Sequence, residues 1–326
     1  MRAWKAEEFG APDVLTLQDI EIPDPAENQI EVEVLAAGVG LPDFLMTAGN
    51  YPAVQVPPVT PGQEVAGVVT KVGPGADFKV GDRVMTSTLF AQGSGGFAER
   101  CLGNTSMTTL IPDGLPVEQA AGFLVPYHTA YVGLVQRGEL KEGEILLVLG
   151  GSGSSGSAAI QLGKALGATV IATASSDEKA DFCRDLGADD VINHRETAIH
   201  HAMRDITGGV GPSIVYDPVG GSAYEQATKC VAQYGRIILI GYGSGSWAKV
   251  DPLHCVLRSY NIVGAFAGAT TPDENKQHQA HMNELIAAGK IKVPVDKVFP
   301  FDQVPQAIAR VGKGQMLGKV IVSGAS

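Results

Sequence analysis

A chain of 326 residues exceeds the ~250–300 residues that one hydrophobic core usually serves, so two domains are expected. Its 44% hydrophobic and 18% charged residues exclude disorder, and a net charge of −11 without any basic run excludes nucleic acid as the default partner. The opening MRAWKAEEFG lacks the apolar core of an export signal, no apolar run reaches the ~18–20 residues that span a bilayer, and Cys101, Cys183, Cys230 and Cys255 are scattered, so a cytoplasmic protein with reduced core thiols and no membrane partner is expected.

The first ~120 residues read as β-rich. Ile30, Val32 and Val34 alternate with polar neighbours, the period of a half-buried strand. Glu64 to Met85 carries short β-branched runs punctuated by the turn signal Gly73-Pro74-Gly75. Tyr51, between Asn50 and Pro52, lies in a turn that could present its hydroxyl to a cleft; a packed loop aromatic is the alternative. Residues 117 to 136 look helical, with Pro126 expected to kink or divide the segment.

Strands and helices then alternate. Ile145 to Leu149 is a continuous apolar strand and Ala158 to Leu166 a helix stopped by Gly167. Between them stands Gly151-Ser152-Gly153-Ser154-Ser155-Gly156, a G-x-G-x-x-G flanked as a dinucleotide-binding loop must be. Gly151 is expected to make the tight turn, Gly153 to admit a pyrophosphate to the backbone, and Gly156 to let the helix pack on the strand. The phosphates would rest on unpaired N–H groups, Ser154 and Ser155 among them, at the positive helix end. A ligand-free flexible Gly/Ser loop is the alternative.

Thr169 to Thr173 forms the next strand, followed by Ala174-Ser175-Ser176 and the capping-box pattern Ser175-x-x-Glu178. NAD-binding units place a carboxylate at this point, on the ribose 2′-hydroxyl. Two hydroxyls with Lys179 one turn on would instead bind a 2′-phosphate, which points to NADPH. Ser175 serving only as a cap, Lys179 solvated, and Asp177 leaving a route to NAD are the competing readings. Further apolar strands at 191–192, 213–216, 236–240 and 261–263 complete a parallel α/β sheet. The tail from about residue 270 holds a polar helix and a final strand, LGKVIVSG, and is expected to return to the first domain. His278, His281 and Glu284 have a spacing that can bind metal, but on a polar helix they read as a solvated face.

These residues resemble a known group, the zinc-free quinone oxidoreductases of the medium-chain dehydrogenase/reductase superfamily, related to zeta-crystallin and to enoyl/acryloyl-CoA reductases. The resemblance spans the chain. It is carried by AAGVGLPDFLMTAGNYP (36–52), PGQEVAGVVTKVGPGADFKVGDRVM (61–85), GGFAER (95–100), YHTAYVGL (127–134), the glycine loop, ATASSDEKADFCRDLGADDVIN (172–193), VYDPVGG (215–221), GRIILIG (235–241) and GKVIV (318–322). It implies an α/β fold in which a Rossmann doubly wound parallel sheet, residues 121–264, is inserted into a GroES-like β-rich catalytic domain made of 1–120 and 265–326. It also implies a homodimer paired through the strand around Asn261 to Phe266. In the family the nicotinamide is held between domains, at positions matching Tyr51, Thr129, the Ile240-Gly241-Tyr242-Gly243 turn, Phe266 and Lys319.

Two departures bear on chemistry. Zinc-dependent relatives carry a Cys before the Asp43 position and a His where this chain has Gln63, so no metal site is expected. Gly40 stands where zinc-free relatives usually have Asn, which removes a donor and widens the pocket. The expected reaction is hydride transfer from NADPH to a quinone or α,β-unsaturated carbonyl, with Tyr51 and Thr129 as donors to the developing oxyanion. His128 is a further proton-relay candidate, and Asp43 a structural acceptor that fixes its loop. An enoyl-thioester or enone reductase is the alternative enzyme, and a non-catalytic NADPH-binding structural protein the alternative of another class.

Overall fold

The computed structural model describes residues 1–325. Its first elements are β1 (Arg2–Lys5), β2 (Thr16–Asp19), β3 (Gln29–Val39), α1 (Leu41–Thr47), β4 (Glu64–Val72), β5 (Arg83–Thr88), β6 (Arg100–Leu110) and α2 (Val117–Ala121). There follow α3 (Leu124–Tyr131), β7 (Ile145–Val148), α4 (Ser154–Ala165), β8 (Thr169–Ala174), α5 (Asp177–Asp185), β9 (Asp190–Asn193) and α6 (Ile199–Thr207). The chain continues through β10 (Ile214–Asp217), α7 (Gly221–Thr228), β11 (Arg236–Leu239), α8 (Pro252–Arg258) and β12 (Asn261–Gly264). It ends with α9 (Pro272–Ala287), β13 (Val295–Phe299), α10 (Val304–Gly312) and β14 (Lys319–Ser323).

Two compact units result. One comprises Met1–Val125, Thr271–Gln279 and the chain from Val293 on; the other comprises Pro126–Thr270 and Ala280–Lys292. The first is built on a sheet of order β13-β14-β3-β4-β5-β6, antiparallel except for β13–β14. A further β3–β6 pairing closes the middle strands on themselves, which leaves fewer exposed edges. The alternation read in the sequence holds only in the middle of β3: Ile30, Val32 and Val34 are buried and Glu33 and Leu35 face solvent, but Glu31 is buried too, paired with Arg100 and Lys71, and Ala36 to Val39 are buried without a break. Their core also takes Val65, Val69, Val84, Phe97, Ile308 and Val320.

The second unit is a six-stranded parallel sheet of order β12-β11-β10-β7-β8-β9, the expected doubly wound arrangement. Its central strands are apolar up to the Asp217 that ends β10, as expected of strands buried on both faces. Leu146, Leu147, Val148, Ile214 and Val215 are wholly buried. Arg236 clamps the opposite end from the loops, bonding Glu144 bidentately at 2.8 and 2.6 Å and also the Ser213, Glu139 and Gly138 carbonyls.

Several local expectations shift. The 117–136 segment breaks at Gly122–Phe123 rather than at Pro126, which occupies the first turn of α3 where its missing N–H has no helical partner to lose. The cap of α5 is Ser176, whose Oγ accepts from the Lys179 amide at 3.3 Å, so Ser175 does not cap it. The polar tail helix is not a solvated face at its histidines. His278 is buried, and His281 Nδ1 lies 2.9 Å from the Tyr131 hydroxyl. All four cysteines are free thiols, and burial pushes Cys101 and Cys183 up to about 12, as inert core thiols should be. Among the described residues no helix is long and apolar enough to cross a membrane.

Candidate active site

In the second unit the candidate groups gather at the C-terminal ends of the strands, beside the β7/β10 position where the strand order reverses. The glycine loop leaves β7 and is tied to β8: Gly150 N donates to Thr173 Oγ1 and Gly151 N to Thr173 O, both at 2.9 Å. The tight turn belongs to Gly150 (φ +64°) rather than Gly151. Gly151 instead lies so close to Ala172, Cys183 and Ile160 that a Cβ would stand 2.8–3.0 Å from them. Gly153 is the N-cap of α4 and offers no side chain to the first-turn amides. Those amides, on Ser154, Ser155 and Gly156, therefore face the loop at the positive end of the helix. The Ser155 hydroxyl is already engaged, 2.7 Å from Tyr216 OH.

Past β8, Lys179 Nζ donates to Ser175 Oγ at 3.3 Å. A hydroxyl and an ammonium are thus held together one strand over from the glycine loop. Asp177 turns to Asn193, whose Nδ2 donates to its carboxylate at 3.3 Å. The turn after β11 is pinned by Asp217, a residue the sequence reading passed over. Its backbone carbonyl accepts from Ile240 and Gly241, while Oδ1 accepts from Val219 N at 2.9 Å and Gly220 N at 2.8 Å. Burial raises its pKa despite these two bonds. The signal that could have found it is its place in VYDPVGG, directly at a strand end. Within that turn the Tyr242 ring packs on Trp247 with centroids 4.3 Å apart, and Gly243 N donates to Pro218 O. Phe266, just past β12, is 72% exposed. Thr129 lies half-buried on α3, and its neighbours His128 and Tyr127 are buried. Tyr127 OH donates to Lys292 O and accepts from Gln161, a packing role.

In the first unit three consecutive residues organise the rest. Gly62 N donates to Asp43 Oδ1 at 2.8 Å, and Gly40 N donates to Asp43 Oδ2 at 2.8 Å, so Asp43 fixes its loop as expected. Burial raises the Asp43 pKa to about 6, opposed by both amides and by Lys319. Gln63 Nε2 donates to the Tyr51 hydroxyl at 2.9 Å. Glu64 Oε1 pairs with Lys319 Nζ at 2.5 Å, both side chains buried, and Glu64 Oε2 accepts from Val125 N. Lys319 is therefore held in a buried ion pair beneath Gly40. A Cβ at Gly40 would come 3.8 Å from Lys319 Nζ.

Two family models match the chain. One described as an alcohol dehydrogenase GroES-like domain matches residues 26–123, and one described as a zinc-binding dehydrogenase matches 156–286. The human quinone oxidoreductase is 32% identical over 325 residues, covering 99% of this chain and 97% of that protein. Among solved structures, an Escherichia coli quinone oxidoreductase in complex with NADPH superimposes with a TM-score of 0.91 at 29% identity, over 99% of this chain and 100% of that one. A mycobacterial protein in complex with NADPH does so with a TM-score of 0.91 at 31% identity, over 99% of both chains. On this full-length likeness, joined to the two sheets and their loops, the chain belongs to the quinone oxidoreductase family of the medium-chain dehydrogenase/reductase superfamily.

Proposed function

We propose that this oxidoreductase uses NADPH to reduce a quinone or a related α,β-unsaturated carbonyl, by hydride transfer and without zinc. The observation that carries the cofactor is Lys179 Nζ against Ser175 Oγ, one strand over from an uncapped helix start. The chain's residues fit the group. At Gly153 an added Cβ would meet only Gly150 O, at 3.6 Å, so a diphosphate has room against the backbone amides of Ser154, Ser155 and Gly156. Ser175 and Lys179 supply a hydroxyl donor and a cation for the 2′-phosphate, and Asp177, bonded to Asn193, is not the ribose acceptor. Gly241, Tyr242, Gly243, Phe266 and Lys319 remain assigned to the nicotinamide end on the family resemblance.

When bound, NADPH supplies the hydride, and negative charge then develops on the acceptor oxygen. Tyr51 and Thr129 are the hydroxyls proposed to donate to it. A quinone is electrophilic enough that orientation and one or two donors serve where an alcohol would need its proton removed. The donor set speaks against a zinc ion of the alcohol-dehydrogenase kind. Gln63 is committed to Tyr51, Gly40 has no side chain, and among the described residues no group of three or more His, Cys, Asp and Glu could hold a metal. The missing side chain at Gly40, where a Cβ would meet Pro42 Cδ at 3.2 Å and Lys319 Nζ at 3.8 Å, bears on one second reading, reduction of a longer enone or enoyl thioester.

Turnover of NADPH on a naphthoquinone, phenanthrenequinone, a crotonyl thioester and a simple enone, with and without chelator, tests the proposal. Quinone reduction indifferent to chelator is expected. Reduction of the enone alone selects the second reading, and NADPH binding without turnover on any acceptor makes this a binding protein. A homodimer and a cytoplasmic location belong to the same proposal. The edge strand β12 and the exposed Leu253, Val256 and Leu257 of α8 support the dimer, and sedimentation will read it.

A further inference from the structure

Gln63 occupies the position at which zinc-dependent relatives carry a metal-binding His, and it has been put to another use. We infer that Gln63 is a positioning residue which turns Tyr51 into a one-way hydrogen-bond donor toward the acceptor oxygen. The inference rests on the proposed role of Tyr51 and adds to it what orients the phenol.

A phenol oxygen both donates and accepts. The Gln63 Nε2–H directed at it, at 2.9 Å, fills an acceptor site on Tyr51 and cannot take its proton. The O–H bond is thereby turned away from Gln63. A donor into the phenol oxygen also stabilises negative charge there, which strengthens Tyr51 as a donor when the substrate becomes an oxyanion.

The backbone that carries this amide is held on both sides. Gln63 is 8% exposed. Its backbone carbonyl accepts from Thr88 N at 2.9 Å, and Thr88 Oγ1 in turn donates to the Gly62 backbone carbonyl at 2.5 Å. On either side, Gly62 is tied to Asp43 and Glu64 to Lys319. Tyr51 in turn packs its ring toward Phe90, centroids 6.2 Å apart. A donor held by fixed backbone on both flanks needs little reorganisation during the reaction.

The test compares Tyr51→Phe, Gln63→Leu, Gln63→Glu and the Tyr51→Phe/Gln63→Leu double variant in quinone reduction by NADPH. Tyr51→Phe should lower kcat about 10–100-fold, and Gln63→Leu about 10-fold, with NADPH binding unchanged. The double variant should be no slower than Tyr51→Phe alone. Gln63→Glu reverses the polarity, since an ionised carboxylate accepts the phenol's proton. Its activity should be retained at low pH and fall as pH rises through the new carboxyl's pKa. Asp43, Glu64 and Lys319 are common to both proteins, so the difference between the two pH profiles isolates the new group.

If Tyr51→Phe keeps its kcat, the Tyr51 reading fails and this inference falls with it. If Tyr51→Phe is slow but Gln63→Leu is not, or if the two losses multiply in the double variant, Tyr51 stands and Gln63 is not its positioning residue. A Gln63→Glu profile parallel to wild type overturns the inference in the same way.

Discussion

Gly153 and Gly156 stand three residues apart at the start of α4, yet a methyl group added to each would meet opposite surroundings. At Gly156 it would lie 2.8 Å from Gly151 Cα and 2.9 Å from the Gly150 carbonyl carbon, where backbone must move. At Gly153 its single neighbour would be Gly150 O at 3.6 Å. Gly156 is thus required by the fold, while nothing in the protein itself requires Gly153. Gly156→Ala should therefore cost about 1–3 kcal/mol of stability through overpacking. Gly153→Ala should cost no more than about 1 kcal/mol, the difference between Gly and Ala at an N-cap, but weaken NADPH at least tenfold. Thermal unfolding and calorimetric titration read the two effects separately. Undiminished NADPH affinity in Gly153→Ala would mean that no diphosphate approaches this turn.

Lys179 gives a sharper test of cofactor choice. A charge-assisted bond to a phosphate is worth roughly 1.5–3 kcal/mol, or about 10–100-fold in affinity. Lys179→Ala should raise the NADPH Kd by that factor and leave NADH nearly untouched, because NADH has no 2′-phosphate to lose. Lys179→Glu should penalise NADPH further. Equal losses for both nucleotides would show that Lys179 acts through the stability of α5 instead.

The contrast between the two units shows which physics a sequence exposes. The parallel sheet was readable because its signals are local: apolar runs such as Ile145–Val148, then Gly150–Gly156, then an amphipathic helix. Errors there were of one residue, Ser176 for Ser175 as cap and Gly150 for Gly151 as turn, because neighbouring identical residues carry the same propensity. The first unit's polar frame was not readable. Gln63 meets Tyr51 across an irregular loop, and Lys319 meets Glu64 through β14 pairing with β3 and β3 with β4. No periodicity links such residues. His278 was misread as solvated because hydropathy reports composition and not the partner that covers a helix face.

The Lys319–Glu64 pair makes a prediction about stability. Both side chains are nearly inaccessible and 2.5 Å apart, so removing one leaves the other charged in a low dielectric. Lys319→Met should destabilise by about 3–5 kcal/mol. The Lys319→Met/Glu64→Gln double variant should recover part of that loss, since the stranded carboxylate is gone while an oxygen remains for Val125 N. Denaturant unfolding of Lys319→Met, Glu64→Gln and the double variant gives the coupling directly. Additive losses would mean that the two side chains are not energetically paired.

Asp43 makes the pH dependence explicit. Its folded pKa is raised from 3.8 to about 6, so the folded protein holds this proton more tightly than the unfolded chain does. The associated stability is fully present below pH 3.8 and is lost as pH rises through about 6, the opposite of an ordinary ion-paired carboxylate. The displacement corresponds to about 3 kcal/mol between these limits. Other carboxylates contribute with the usual sign and at lower pH, Glu144 being held low by Arg236 and Asp189, against its burial, by Lys164 and the Val170 amide. The measurement must therefore be a difference. Asp43→Asn has no titrating group and can accept from only one of Gly40 N and Gly62 N without turning its amide against the other. Measured by urea unfolding, the advantage of wild type over Asp43→Asn should shrink by up to about 3 kcal/mol from pH 4 to pH 7.5. A difference that stays constant, or grows with pH, would mean that the two loop amides and Lys319 outweigh burial and keep Asp43 ionised throughout.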